Sequence, residues 1–173
     1  MEQHIGDKIV HPVYGAGVVR EVRSTTRDRS PRTVYAIGFI GGGLEMYAPL
    51  TETLPLRPAV CADKLPALAA ILASAPQPLP EQAVLRRILL AARLKTLQAH
   101  KLAELVRDLS AFALTHSSFR IGDSKILTQA QKLLITEWAL VAGLSLTMAK
   151  SDIERALQGS MKATKFSGDR RKR

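Results

Sequence analysis

Cysteine and aromatic residues are scarce in this 173-residue sequence. Cys61 is the single cysteine, so the chain can form neither an internal disulfide nor a zinc site of the zinc-finger pattern. No stretch approaches the ~18 uninterrupted apolar residues that cross a bilayer, and the N-terminal residues lack the apolar core of a secretion signal. We therefore expect a soluble, cytoplasmic protein with no membrane partner.

Catalytic and metal-binding patterns are missing as well. The four histidines are scattered, and none stands at a ligand spacing from Cys, Asp or Glu. Glu104 and Asp108 lie four residues apart with Arg107 between them, which is typical of a solvated helix face rather than of paired catalytic carboxylates. Neither a P-loop lysine nor a helix follows the glycine run at 41–43. We expect no enzymatic activity and no cofactor.

Positive charge is present in excess and is unevenly distributed. The formal net charge is +10, from 25 Lys and Arg against 15 Asp and Glu. Residues 1–59 contain 7 basic and 6 acidic residues, residues 60–158 contain 12 and 8, and residues 159–173 contain 6 and 1. A field of this kind attracts polyanions such as nucleic acids. A solvated, solubilising basic surface is the alternative interpretation.

The first third of the chain has the pattern of short strands. Runs rich in β-branched and aromatic residues occupy 8–10, 17–22, 33–39 and 44–48, with Pro, Gly and polar turns between them. Four or five short strands in so few residues bury a common core only by curling into a small barrel. Two prolines within 54–58 indicate a domain boundary there.

The rest of the sequence has helical periodicity. Predicted helices cover 64–74, 81–97, 101–115, about 124–142 and 147–157, joined by short polar or proline-containing loops. Helices with one apolar face and short connections pack as a bundle. The fold class is therefore α+β, with a small β-barrel domain at 1–58, an all-α bundle at 59–158 and a disordered basic tail at 159–173.

Several motifs carry a resemblance to a known family. The stretch IGDKIVHPVYGAGVVREV at 5–22, followed by YAIGF at 35–39 and LEMYAPL at 44–50, resembles the polymerase-interacting domain of the CarD/CdnL family. That domain is shared with the transcription-repair coupling factor, but this chain has no room for motor domains. PLPEQ at 78–82 and LAELVRDL at 102–109 resemble the family's helical part more loosely. The resemblance implies a bacterial transcription regulator.

For the barrel, the resemblance implies a Tudor-like fold whose exposed strand adds to a sheet of the RNA polymerase β subunit. The matching strand is 44–49, in which Glu45 and Tyr47 share one face and Met46 takes the other. Relatives have arginines at the positions of Thr25 and Tyr47, so the contact here has different chemistry, and Tyr47 is alternatively a half-buried barrel residue. The implied polymerase-binding residues are Arg23, Thr25, Leu44, Glu45, Met46 and Tyr47.

For the bundle, the resemblance implies contact with promoter double-stranded DNA at the upstream edge of the transcription bubble. Relatives insert a Trp there, but PLPEQ aligns Ala83 with that position, and alanine cannot wedge between base pairs. Partial substitution by Val84 or Leu85 is an alternative, but in a helix both are expected to face the core, as is Trp138, the only tryptophan.

Charge is what remains for DNA binding, because basic residues dominate the segment 81–101. Such a helix can follow phosphates without reading bases, although a solvated face gives the same pattern. Different functions stay open: a polymerase-bound adaptor that recruits another protein, and nucleoid binding by the basic tail. We expect a monomer when bound to polymerase. The predicted DNA-binding residues are Arg86, Arg87, Arg93, Lys95 and Lys101.

Overall fold

The computed structural model describes residues 4–27, 30–49 and 55–169. An antiparallel sheet is followed by helices, which confirms the predicted α+β class. The strands are β1 (Lys8–His11), β2 (Gly15–Arg27), β3 (Ser30–Phe39), β4 (Glu45–Pro49) and β5 (Arg57–Pro58). After a 3-10 turn at Ala62–Lys64, the helices are α1 (Leu65–Ala73), α2 (Ala83–Lys95), α3 (Ala99–Thr115), α4 (Ile121–Ala142) and α5 (Leu146–Asp169).

The sheet has the strand order β4-β3-β2-β1-β5, with every pair antiparallel. Alternate residues of β1, β2 and β3 point inward, as period-2 side chains do. They form a small apolar core of Ile9, Val19, Tyr35, Ile37 and Phe39. Within the described residues β4 and β5 are the two edges, and no hydrogen-bonded ladder joins them.

The helices pack around α3, and the apolar stripe of this predicted helix is buried. Leu102, Leu105, Val106 and Leu109 are fully buried in the bundle core. Trp138 of α4 belongs to the same core, which confirms its predicted structural role. The bundle core is therefore built mainly from Leu, Ala and Val side chains, with Phe112 and Trp138 among them.

The sheet and the bundle are joined through the β1–β2 hairpin, which packs against α4. Val10 and Ala16 of the hairpin belong to the same buried cluster as the helices. The Ala16 N–H donates to the Thr136 hydroxyl at 3.0 Å. Gly15 has φ of +89°, and a Cβ atom there would lie 2.5 Å from Thr136 Oγ1. Only glycine satisfies both the backbone angle and the close approach.

Helix α5 changes the predicted C-terminal boundary. We predicted a disordered tail from residue 159, but α5 continues to Asp169. Ser160 is buried, and its hydroxyl donates to the Leu157 carbonyl, so helix packing extends past the predicted boundary. The basic composition of this segment therefore does not prevent helix formation, and only residues 170–173 of the predicted tail lie outside the described residues.

Candidate functional site

The first candidate surface is the edge of the sheet at β4. Its residues pair with β3 in the register Gly38↔Glu45 and Ala36↔Tyr47. In the part of the chain that the structure describes, β3 is the only strand hydrogen-bonded to β4. The outer backbone groups of an edge strand form a template for another chain. This edge can accept an added strand.

The side chains of β4 alternate as predicted. Tyr47 is 52% exposed, and its hydroxyl donates to Glu45 Oε2 at 3.3 Å. Met46 faces the other way and packs against the sheet core. Leu44, just before the strand, is an exposed large apolar residue. The outer face of the edge therefore presents a phenol and a carboxylate, while Met46 anchors the strand from behind.

Arg20 completes this face and was missed in the sequence. Its guanidinium crosses β3 and donates to Glu45 Oε1 at 3.0 Å. It lies directly over Gly38, where a Cβ would collide with it. A β-bulge between Val19 and Glu21 interrupts the ladder at Arg20. A glycine inside a β-strand run is the available signal, because it often marks such a close approach.

Arg23 and Thr25 occupy the distal half of β2. Their backbones pair with Val34 and Arg32 of β3. Their side chains lie outside the described part of the structure, so the predicted polymerase contacts by both residues stay predictions.

The second candidate surface is helix α2, and here Arg86 requires a correction. Its side chain has 0% exposure and forms an ion pair with Asp123 of α4, with 2.7 Å between Nη2 and Oδ2. The guanidinium carbon lies 4.3 Å from the centre of the Phe112 ring. Its remaining hydrogen bonds go to backbone carbonyls, so all five N–H donors are used inside the protein. Arg86 cannot reach a phosphate in this structure. The carbonyls are those of Pro80, Glu81 and Ser118.

Asp123 is a permanent partner for Arg86. Burial raises its pKa, but this effect is outweighed by hydrogen bonds from the Arg86 side chain and the Arg120 N–H, and by the charges of Arg86 and Arg87. The pKa of Asp123 is therefore held below its ordinary value. The pair joins α2 to the first turn of α4 and has a structural role.

Arg93 and Lys101 also have acidic partners. Arg93 Nη1 lies 2.9 Å from Oδ2 of the buried Asp108. The Lys101 ammonium lies 3.0 Å from Glu104 Oε2, one turn along α3. Both basic side chains remain partly exposed. A phosphate at either position would compete with a carboxylate that is already bound.

Arg87 and Lys95 are the most accessible of the five predicted DNA-binding residues. Both are exposed on α2, and neither forms an ion pair with a described acidic side chain, although the charge of Arg87 acts on Asp123. Arg87 lies along the start of α4, because its Cδ is 3.0 Å from where a Cβ of Gly122 would be. These two residues form the free basic part of α2.

The exposed face of α2 is apolar as well as basic. Val84, Leu85 and Ile88 are each more than half exposed. The expectation that Val84 and Leu85 face the core is therefore wrong, because the buried stripe of the helix runs through Arg86 and Leu90 instead. We call Val84, Leu85 and Ile88 the α2 apolar face. It follows directly after Ala83, the position that aligns with the tryptophan of relatives.

Among the described residues, no group of three or more His, Cys, Asp or Glu side chains could hold a metal ion. Over residues 4–27, 30–49 and 55–169, no single helix is long and apolar enough to cross a bilayer; α4 and the following helix meet the criterion only as a pair bent by 112°.

Comparisons with known families match both parts of the chain. A family model described as the CarD-like/TRCF RID domain matches residues 4–60. A second, described as the CarD C-terminal domain, matches residues 68–154, which is half of the chain. No curated protein matches the sequence. The two matches lie on the sheet and the helical bundle respectively and leave the junction at 61–67 between them.

Proposed function

Because the chain belongs to the CarD family of RNA polymerase-interacting transcription regulators, we propose that it docks on the polymerase β subunit through β4 and faces promoter DNA with α2. Preferential binding to one promoter state shifts the balance between closed and open complexes only by the difference in affinity for the two states. In this proposal the chain acts in the cytoplasm, binds polymerase as a monomer and needs no cofactor.

The observation that carries the polymerase half is the accessible edge of β4. Backbone groups on that edge supply affinity for an added strand, and alternate side chains supply specificity. Tyr47 and Glu45 stand on the face that a docked strand would meet, and Arg20 holds Glu45 in place. Charge and aromatic contact therefore come from β2 and β4 together rather than from β4 alone.

The polymerase contact is tested with the full chain, because the β1–β2 hairpin packs into the core of the helices. The double variant Glu45→Lys/Tyr47→Ala is expected to lose retention by immobilised polymerase while keeping its thermal transition. Glu154→Lys on α5 is the matched control, since Glu154 also forms an exposed ion pair. Equal retention of both variants and the parent chain would remove the β4 edge from the contact.

The DNA half rests on the exposed cations of α2. Arg87 and Lys95 can neutralise phosphates without reading bases. Release of counterions makes such binding steeply salt-dependent, with a slope of about 0.9 per neutralised phosphate. We expect Arg87→Glu/Lys95→Glu to weaken binding to fork DNA and to reduce the salt slope by about 2. Lys150→Glu on α5 is the control, and an unchanged slope in the double variant would contradict the assignment.

The α2 apolar face favours a second candidate function. Contiguous exposed apolar groups are common at protein contacts, and an amphipathic helix face fits a groove of a partner protein. In this alternative the polymerase-bound chain is an adaptor that recruits another protein through Val84, Leu85 and Ile88. Binding to such a partner would be almost independent of salt, whereas binding to DNA would not. A salt series on the captured complex therefore separates the two functions.

A further inference from the structure

Arg57, the first residue of β5, joins the sheet to the helical bundle. Its guanidinium forms a bidentate (two-pronged) ion pair with the carboxylate of Glu137 on α4, with both N–O distances at 2.6 Å. Glu137 is 1% exposed and Arg57 is 18% exposed. The Val60 N–H donates to the same carboxylate at 2.9 Å. A paired, hydrogen-bonded geometry of this kind is directional, because both planar groups must align.

The same guanidinium also holds the end of α2. Arg57 Nε donates to the Leu97 carbonyl, in the turn between α2 and α3. Leu97 has φ of +54°, and it is the only non-glycine residue with positive φ in the described chain. A leucine adopts this angle at a cost and keeps it only where its surroundings fix the backbone. The bond from Arg57 is one of those constraints.

Helix α2 is thus tied to α4 near both ends. Arg86 pairs with Asp123 near its start, and Arg57 links the turn after its end to Glu137. Asp123 and Glu137 are 14 positions apart, which is about 21 Å and close to four turns of helix. They therefore lie on the same side of α4 and hold α2 at two separated points.

We propose that the junction of Arg57, Glu137 and the Leu97 carbonyl fixes the orientation of α2 relative to β4. Arg57 and Glu137 are then positioning residues, and the inference rests on the proposed function of those two surfaces. A chain held in one orientation presents α2 to DNA as soon as β4 is bound to polymerase. Rigid presentation raises the effective concentration of the second contact, whereas a loose joint dilutes it.

The test needs variants that loosen the junction without unfolding the chain. Removal of one partner leaves a buried charge, so the main variant is Arg57→Met/Glu137→Met, which replaces both by apolar groups of similar volume. Arg57→Lys is a second variant that keeps the charge but not the two-pronged contact. Glu154→Gln is the matched control, because it breaks an exposed ion pair within α5. A cooperative thermal transition identifies the variants that remain folded.

The first measurement is the distance between barrel and bundle in the full chain. Spin labels are attached at Gly42→Cys and Ala92→Cys after Cys61→Ser, since Gly42 has open space around it and Ala92 is exposed on α2. Pulsed electron spin resonance then gives the distribution of distances. We expect a narrow distribution for the parent and Glu154→Gln, and a clearly broader or shifted one for both junction variants. Unchanged distributions in both junction variants would overturn the proposal.

The second measurement is the gain in fork-DNA affinity when polymerase is added. We expect the junction variants to bind polymerase alone and DNA alone like the parent. The increase in their DNA affinity on addition of polymerase should be about tenfold smaller than for the parent. Changed distances with an undiminished gain would show that orientation does not matter, which also overturns the proposal. If the parent shows no gain, the proposed DNA function fails, and the distances alone then decide whether the junction sets the orientation.

Discussion

Replacement of Arg86 distinguishes a structural role from a DNA-binding role, because the first predicts a loss of stability and the second a loss of DNA affinity. Arg86→Met removes the charge and keeps most of the volume. Loss of one partner from a buried ion pair costs about 3–5 kcal/mol, and the contact with Phe112 contributes up to about 2 kcal/mol more. The methionine recovers part of this through apolar burial. We therefore expect the free energy of unfolding to fall by about 4 kcal/mol, or almost three powers of ten in the folding equilibrium.

The assay is urea unfolding of the full chain followed by far-UV circular dichroism, with fork-DNA binding measured in parallel. Asp123→Leu should be similarly destabilising, whereas Arg86→Met/Asp123→Leu should regain most of the loss, because no buried charge is then left unpaired. Arg87→Met on the next position is the matched control and should lower DNA affinity with little effect on unfolding. The reasoning is refuted if Arg86→Met leaves stability within about 1 kcal/mol of the parent and instead reduces the salt slope of DNA binding.

Three further predictions concern the sheet and its packing against α4. Gly38→Val should displace Arg20 from Glu45 and weaken polymerase retention, measured against the parent in a pull-down. Gly15→Ala should lower the free energy of unfolding by about 3 kcal/mol, because it combines positive φ with a collision at Thr136; a loss below about 0.5 kcal/mol would contradict the close packing. Burial lowers the pKa of His11 below 6.5 in the folded chain. As the pH falls, His11 is therefore protonated in the unfolded chain before it is protonated in the folded chain, and the free energy of unfolding should decrease as the pH drops through 6.5 and below. His11→Gln should flatten urea midpoints across that range.

The order of strands and helices could be predicted because the hydrophobic periodicity changes where proline, glycine and polar residues indicate turns. Proline and glycine separate the strands, and an unbroken stripe from Leu102 to Leu109 identifies α3. The two faces of β4 were also predictable, since alternation alone places Glu45 opposite to Met46. What periodicity could not give is Arg20, because its contact crosses a neighbouring strand at a bulge.

The faces of α2 were not predictable from the pattern. Apolar residues occupy two sides of this helix, one through Leu90 and one through Val84 and Ile88, so hydrophobicity does not select the buried side. The ion pair between Arg86 and Asp123 of α4 determines which side of α2 is buried. This pair exists only in the folded chain. In the sequence, Asp123 lies in a segment that reads as a loop, and its partner is 37 positions away.

The packing of the β1–β2 hairpin into the bundle core has a consequence for how the protein can be engineered. Val10 and Ala16 belong to the barrel in sequence but to the bundle in packing, so the two parts should melt in a single cooperative transition. A barrel transplanted to another protein would carry bare apolar atoms at these positions and would need polar replacements there. Two family models divide this chain, whereas the packing of Val10 and Ala16 predicts that its two parts unfold together.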